Sequence, residues 1–141
     1  MRRTIAGLLA GAVLIIGIFC AGCSSYAEPE ISIDTSLTQV NVSEEDLSIT
    51  YDVGVDVSNT GGNNAYSVVV MVILSTPKDL PEYRFVNDNF EVGTVLKKES
   101  AKVSRRMTLP MTRENFSLIT SGQAEAEIEA RIMRMTSNIM G

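Results

Sequence analysis

From Ile31 onward the chain is organised by a hydrophobic period of two. Between Leu47 and Ser58, Leu47, Ile49, Tyr51, Val53, Val55 and Val57 fall on one face, while Ser48, Thr50, Asp52, Gly54, Asp56 and Ser58 fall on the other. Such alternation predicts an antiparallel strand with one buried face. The segment Asn59-Thr60-Gly61-Gly62-Asn63-Asn64 follows, rich in residues that tolerate positive φ, and predicts a turn in which Gly61 or Gly62 holds φ > 0. Ala65 to Ser75 is a second Val/Ile-rich run, so the two segments read as a β-hairpin.

Further strands are predicted at 31–40, 83–86, 90–96 and 101–109, with Lys97-Lys98-Glu99-Ser100 as a polar turn. Pro77 and Pro81 keep 76–82 out of any central strand. Thr112 to Asn115 suits one helical turn crossing between sheets. Residues 123–135 fit two periods. Ile128, Ile132, Met135 and Ile139 are spaced as on a helix, whereas Ala124, Ala126, Ile128, Ala130 and Ile132 alternate with Glu125, Glu127, Glu129 and Arg131 as on a strand. The strand is preferred because it completes a sheet. The expected fold is all-β: an immunoglobulin-like antiparallel β-sandwich of about seven strands over 31–135, with a small barrel as the alternative and 136–141 as a flexible tail.

The N-terminus follows another rule. Arg2 and Arg3 precede an uncharged apolar stretch from Ile5 to Ala21, and Gly22-Cys23-Ser24-Ser25 follows. A basic start, an apolar middle and a small-residue exit mark an export signal. About 17 apolar residues also approach the length of a membrane span, so a retained anchor helix is the alternative. Both place Arg2 and Arg3 inside and the remainder outside. Residues 1–22 are thus expected to be a signal or anchor, and 23–30 a tether.

Composition narrows the chemistry. Zero His removes imidazole acid–base catalysis, His-based nucleophile pairs and His metal sites. A formal charge of −5 argues against a nucleic-acid partner. Cys20 and Cys23 form C-x-x-C, but no strand precedes them and no second pair exists, so a redox or metal role is disfavoured.

Ala21-Gly22-Cys23 resembles the lipobox of prolipoproteins, with Cys20 departing from the usual aliphatic residue. The resemblance implies lipidation of Cys23, cleavage before it, and a lipid-anchored protein at the cell membrane facing away from the cytoplasm. Over residues 47–109, Val53-x-Val55-x-Val57-Ser58-Asn59-Thr60-Gly61-Gly62, Ala65-x-x-Val68-x-Val70 and Val92-Gly93-Thr94-Val95-Leu96 with Glu99-Ser100 resemble CARDB-type extracellular domains. Lys98 stands where that family usually has Gly. The resemblance implies an immunoglobulin-like sandwich and brings no catalytic or ligand residues. The overall layout is similar to small archaeal surface lipoproteins of uncharacterised function.

Candidate chemistry is sparse. Asp52 and Asp56, with Glu44-Glu45-Asp46, are oxygen donors of the kind Ca²⁺ takes, but strand residues four apart lie ~13 Å from each other, and a solvated face is the simpler reading. Met71, Met107, Met111, Met133, Met135 and Met140 are thioethers without His or free Cys beside them, so core filling is preferred to a copper site. No metal and no cofactor is expected. Asn41-Val42-Ser43 and Asn115-Phe116-Ser117 are glycosylation sequons.

The strand Ala65–Ser75 is apolar on both faces. Tyr66, Val68, Val70, Val72 and Leu74 form one, and Val69, Met71 and Ile73 the other. Either the excursion 76–89 covers that second face, through residues such as Leu80, Tyr83 or Phe85, or a protein partner or second copy does. Arg105 is the mirror anomaly, sharing a face with Val103 and Met107, which places it at a rim or beside a bulge. The expected function is a non-catalytic interaction or structural module at the membrane, with a small-ligand carrier or chaperone as the alternative and an enzyme a distant third.

Overall fold

The structure, a computed structural model, describes residues 28–137. It is a β-sandwich of six strands and one helix: β1 (Ile31–Ser43), β2 (Ser48–Asn59), β3 (Ala65–Ser75), β4 (Phe85–Val95), β5 (Glu99–Pro110), α1 (Arg113–Thr120) and β6 (Glu127–Ser137). One antiparallel sheet has the order β1-β2-β5 and the other β4-β3-β6. The anchor stretch Ile5–Ala21, the lipobox and Cys23 lie outside the described residues. Among the described residues no helix is long and apolar enough to cross a membrane.

The period of two buries what it should. Ile49, Val53, Val55 and Val57 of β2 and Val68, Val70, Val72 and Leu74 of β3 are fully buried between the sheets, with Phe90 and Leu109. The two central strands therefore supply the middle of the core. Residues 127–137 form a strand, in register with β3 from Leu74↔Ile128 to Ala65↔Ser137. The strand extends to Ser137, so the expected tail gives up its first two residues to the sheet.

Three expectations change. The strands foreseen at 83–86 and 90–96 are one continuous strand, β4, giving six strands where about seven were expected. Asn87 and Asn89 look like turn residues, but both are exposed and sit opposite Ile73 and Met71 in the ladder, so their polarity belongs to an outer face. The single helical turn is a two-turn helix. Thr112 caps its start by accepting from Asn115 N–H at 3.2 Å, and Gly122 at φ +86 ends it, with Gln123 N–H donating to Leu118 O and Gly122 N–H to Ile119 O. Phe116 and Ile119 turn inward and close one end of the sandwich.

The third change concerns the β2–β3 connection, which is not the expected hairpin: β2 pairs with β1 and β5 and β3 with β4 and β6, so residues 60–64 carry the chain from one sheet to the other. Among the described glycines positive φ occurs at Gly93 and Gly122, and neither Gly61 nor Gly62 has it. Gly61 is required for space instead. A Cβ there would collide with Glu28 O and Glu30 N, backbone atoms that would have to shift to admit it. Thr60 N–H donates to Glu30 O at 2.9 Å, and Pro29 is buried, so residues 28–30 are held on the sandwich rather than hanging as tether. Lys98, at φ 64, takes the left-handed conformation that glycine adopts freely.

Arg105 lies at a rim. β5 is an edge strand in unbroken register with β2, so no bulge displaces it. Its guanidinium sits 5.5 Å from the centroid of the buried Phe90 ring, and its Nη1 donates to Asp88 Oδ2 at 3.0 Å. A cation over an aromatic face thus closes the side where β5 of one sheet approaches β4 of the other.

Two substitutions should move stability in opposite directions. Gly61→Ala should lower the unfolding free energy by about 2 kcal/mol or more, because backbone must shift to admit the methyl. Lys98→Gly should raise it by up to about 1 kcal/mol through relief of the left-handed strain, less whatever is lost with the Lys98 Nζ bond to Thr60 O. Urea titrations read both. Equal midpoints for Gly61→Ala and wild type would show that the approach of residues 28–30 carries no weight.

Candidate interaction face

The outer surfaces of the two sheets differ in kind. On β1-β2-β5 the outward row is Ser, Thr, Gly and charge. Asp52 is bound by Arg106 Nε at 3.1 Å, Asp56 faces Lys102 at 4.0 Å, and the hydroxyls of Thr50 and Thr108 meet at 2.8 Å across the ladder. Asp52 and Asp56 are thus each matched by a cation on β5, while Asp34 of β1, opposite Asp56, forms no ion pair among the described residues. These are exposed pairs worth a few tenths of a kcal/mol at most. Among the described residues no group of three or more Cys, Asp or Glu stands where it could hold a metal ion.

On β4-β3-β6 the outward row of the central strand is Val69, Met71 and Ile73. Strand geometry puts them there, since their neighbours Val68, Val70, Val72 and Leu74 point into the core. In the ladder Val69 lies between Glu91 and Arg134, Met71 between Asn89 and Arg131, and Ile73 between Asn87 and Glu129. Val69 is 7% exposed, while Met71 and Ile73 are half-buried. The stripe is sheltered laterally by polar neighbours. The end of the 76–89 excursion runs beside it as β4, in the plane of the sheet, and does not fold over it. Phe85 and Tyr83 stack at 5.8 Å and stay 52% and 40% exposed. Val69 is therefore buried, and Met71 and Ile73 reach the surface in part, with a charged or amide side chain on each flank.

The remaining site residues are scattered. Asn41 is exposed at a bulge in β1. Asn115 is fully buried, and its Nδ2 donates to Glu82 O at 2.9 Å, so a glycan there would have to break that bond and open the helix packing. Met107 and Met111 are core residues, Met135 packs against the core, and Met133 is exposed, so these thioethers do not converge. Met140 lies outside the described residues. Glu44, Glu45 and Asp46 form the β1–β2 turn, where Ser43 Oγ accepts from Asp46 N–H.

Sequence reasoning passed over three interior polar groups. Thr35 Oγ1, Asn115 Oδ1 and the Tyr51 hydroxyl are buried without a hydrogen-bond partner among the described protein atoms. Burial pushes the Tyr51 phenol above its ordinary range, and the nearby Glu125 charge adds to the effect. A phenol raised in the folded state favours folding fully below its unfolded value of about 10, and that contribution is lost as pH climbs past it. Tyr51→Phe should therefore be at least as stable as wild type at pH 7, since an unpartnered hydroxyl leaves the core, and it should lose less stability between pH 9 and 11. Parallel melts at these pH values decide it; an equal alkaline loss in both proteins would refute it.

No family model and no curated protein matches the chain. Among solved structures, the X-ray structure of Northeast Structural Genomics Consortium target SoR45 is similar at 10% identity and a TM-score of 0.46, over 76% of this chain and 84% of that one. A likeness of that degree carries no argument about function.

Proposed function

We propose that the chain is an extracytoplasmic lipoprotein, anchored at the membrane through Cys23, whose immunoglobulin-like, CARDB-type sandwich serves as a non-catalytic interaction module. The observation that carries the reading is the contrast between the two sheet faces. On one, Asp52 and Asp56 are paired across the ladder among hydroxyls, and the other offers the half-buried Met71 and Ile73 beside the buried Val69. Apolar contact area with a polar rim is what protein–protein recognition uses. The anchor reading rests on Arg2, Arg3, the apolar stretch and Ala21-Gly22-Cys23. Since residues 28–30 pack on the sandwich, Cys23 lies five residues before Glu28, a length of chain that reaches at most about 18 Å. A module so tethered works close to the membrane surface.

Two measurements test this. Mass spectrometry of the membrane fraction should find a mature chain starting at lipid-modified Cys23; intact residues 1–22 would reject cleavage and favour a retained helix. A photo-crosslinking side chain at Ile73 should give an adduct of discrete mass in cells, absent when Met71→Glu is added, while one at Ser36 on the opposite sheet gives none. Equal labelling from both positions would remove the strip as the contact surface.

A further inference from the structure

A sandwich of two three-stranded sheets has four edge strands, and an unpaired edge invites another strand unless something blocks it. Three of these edges are blocked by inward-facing polar groups. β4 and β5 turn Asp88 and Arg105 into the gap between the sheets, where they pair. β1 turns Thr35 and Gln39 inward, opposite Val55 and Tyr51, and is bulged between Gln39 and Asn41. β6 has no inward polar group between Ile128 and Ile132, and its bulge at Met133 lies beyond that segment. Its inward row is Ile128, Ala130 and Ile132, and the two isoleucines are only half-buried while their ladder partners Leu74 and Val70 are fully buried. Its outward row places Glu129 two residues from Arg131, bonded at 2.8 Å and both exposed.

We propose that β6 pairs with β6 of a second copy, antiparallel about a two-fold axis at Ala130, joining the two β4-β3-β6 sheets into one six-stranded sheet. The register follows from charge. Centred on Ala130, each Glu129 faces Arg131 of the other copy, Ile128 faces Ile132, and Ala130 faces Ala130. Moving the axis by one residue either way sets Glu129 against Glu129 or Arg131 against Arg131, and like charges directly opposite are unfavourable. The existing Glu129–Arg131 pair thereby becomes a ring of four alternating charges. The bulge at Met133 confines the pairing to residues 128–132. This contact is separate from the Val69–Met71–Ile73 strip and leaves that strip uncovered. It sets the two Glu28 ends at opposite ends of the double sheet, so copies anchored as proposed above would lie with their strands along the membrane.

A charge-swap series on the full chain tests it, by sedimentation in density-matched detergent with micelles in excess of protein. Wild type should be a dimer. Arg131→Glu, and independently Glu129→Arg, should weaken association at least tenfold, and the double swap Glu129→Arg with Arg131→Glu should restore it. Both positions are exposed, and circular dichroism confirms folding of each variant. A monomeric wild type overturns the proposal. So does a dimer indifferent to the single changes, which would place association in the anchor or elsewhere, and so does a double swap that stays monomeric. Each result leaves the crosslinking from Ile73 to be read on its own.

Discussion

One buried side chain holds the upper end of the sandwich. Asn59 is 1% exposed, and its amide makes four hydrogen bonds: Oδ1 accepts from Glu30 N–H at 3.2 Å and Gly61 N–H at 3.0 Å, while Nδ2 donates to Asn63 O at 2.8 Å and Val95 O at 3.1 Å. Its own carbonyl accepts from Lys98 N–H at 2.7 Å. The start of β1, the β2–β3 turn and the end of β4 thus meet on one residue, and both sheets are registered against each other there. A buried amide with every donor and acceptor matched favours a single arrangement, because any slip leaves a polar group unpaired in a dry site. Gly61 and Lys98 follow from it. The chain must pass close to residues 28–30, which excludes a side chain at 61, and the β4–β5 turn must present Lys98 N–H, which fixes its left-handed φ.

The two open sides of the sandwich are finished differently. Between β4 and β5, Arg105 lies over Phe90 and bonds Asp88, so the apolar core meets water through a planar cation that tolerates both. On the β1 and β6 side, the half-buried Leu37, Ile128, Ile132 and Met135 pack against the core, beside the inward-facing Thr35 and Gln39 of β1. At the lower end α1 crosses from one sheet to the other, and Phe116 and Ile119 cap the core.

The proposed function rests on surfaces. The Ser/Thr-rich face of β1-β2-β5 is well solvated, with Asp52 and Asp56 ion-paired, while β4-β3-β6 holds the half-buried Met71 and Ile73 and the β6 edge. A module with both features on one sheet can use its edge and its face for different contacts, since edge pairing is made by backbone and face contact by side chains.

Strand identity was legible because a buried face leaves a period of two in any sequence. The strands β2 and β3 and the strand at 127–137 follow from that one signal, but their partners do not: β2 and β3 read as a hairpin and lie in opposite sheets. Even Arg105 announced itself, as a charge on an apolar row. The single strand β4 was not legible, since Asn87 and Asn89 suit a turn as well as an outer face, and only pairing with Ile73 and Met71 distinguishes the two. Nor was the reason for Gly61, which depends on a backbone segment thirty residues earlier in the chain. The amino-acid order by itself determined which residues face inward, because alternation is local. Which strands became edges, what Asn59 and Arg105 touch, and where Val69, Met71 and Ile73 stand were decided by the tertiary structure, because contacts between residues distant in the chain leave no local period to read.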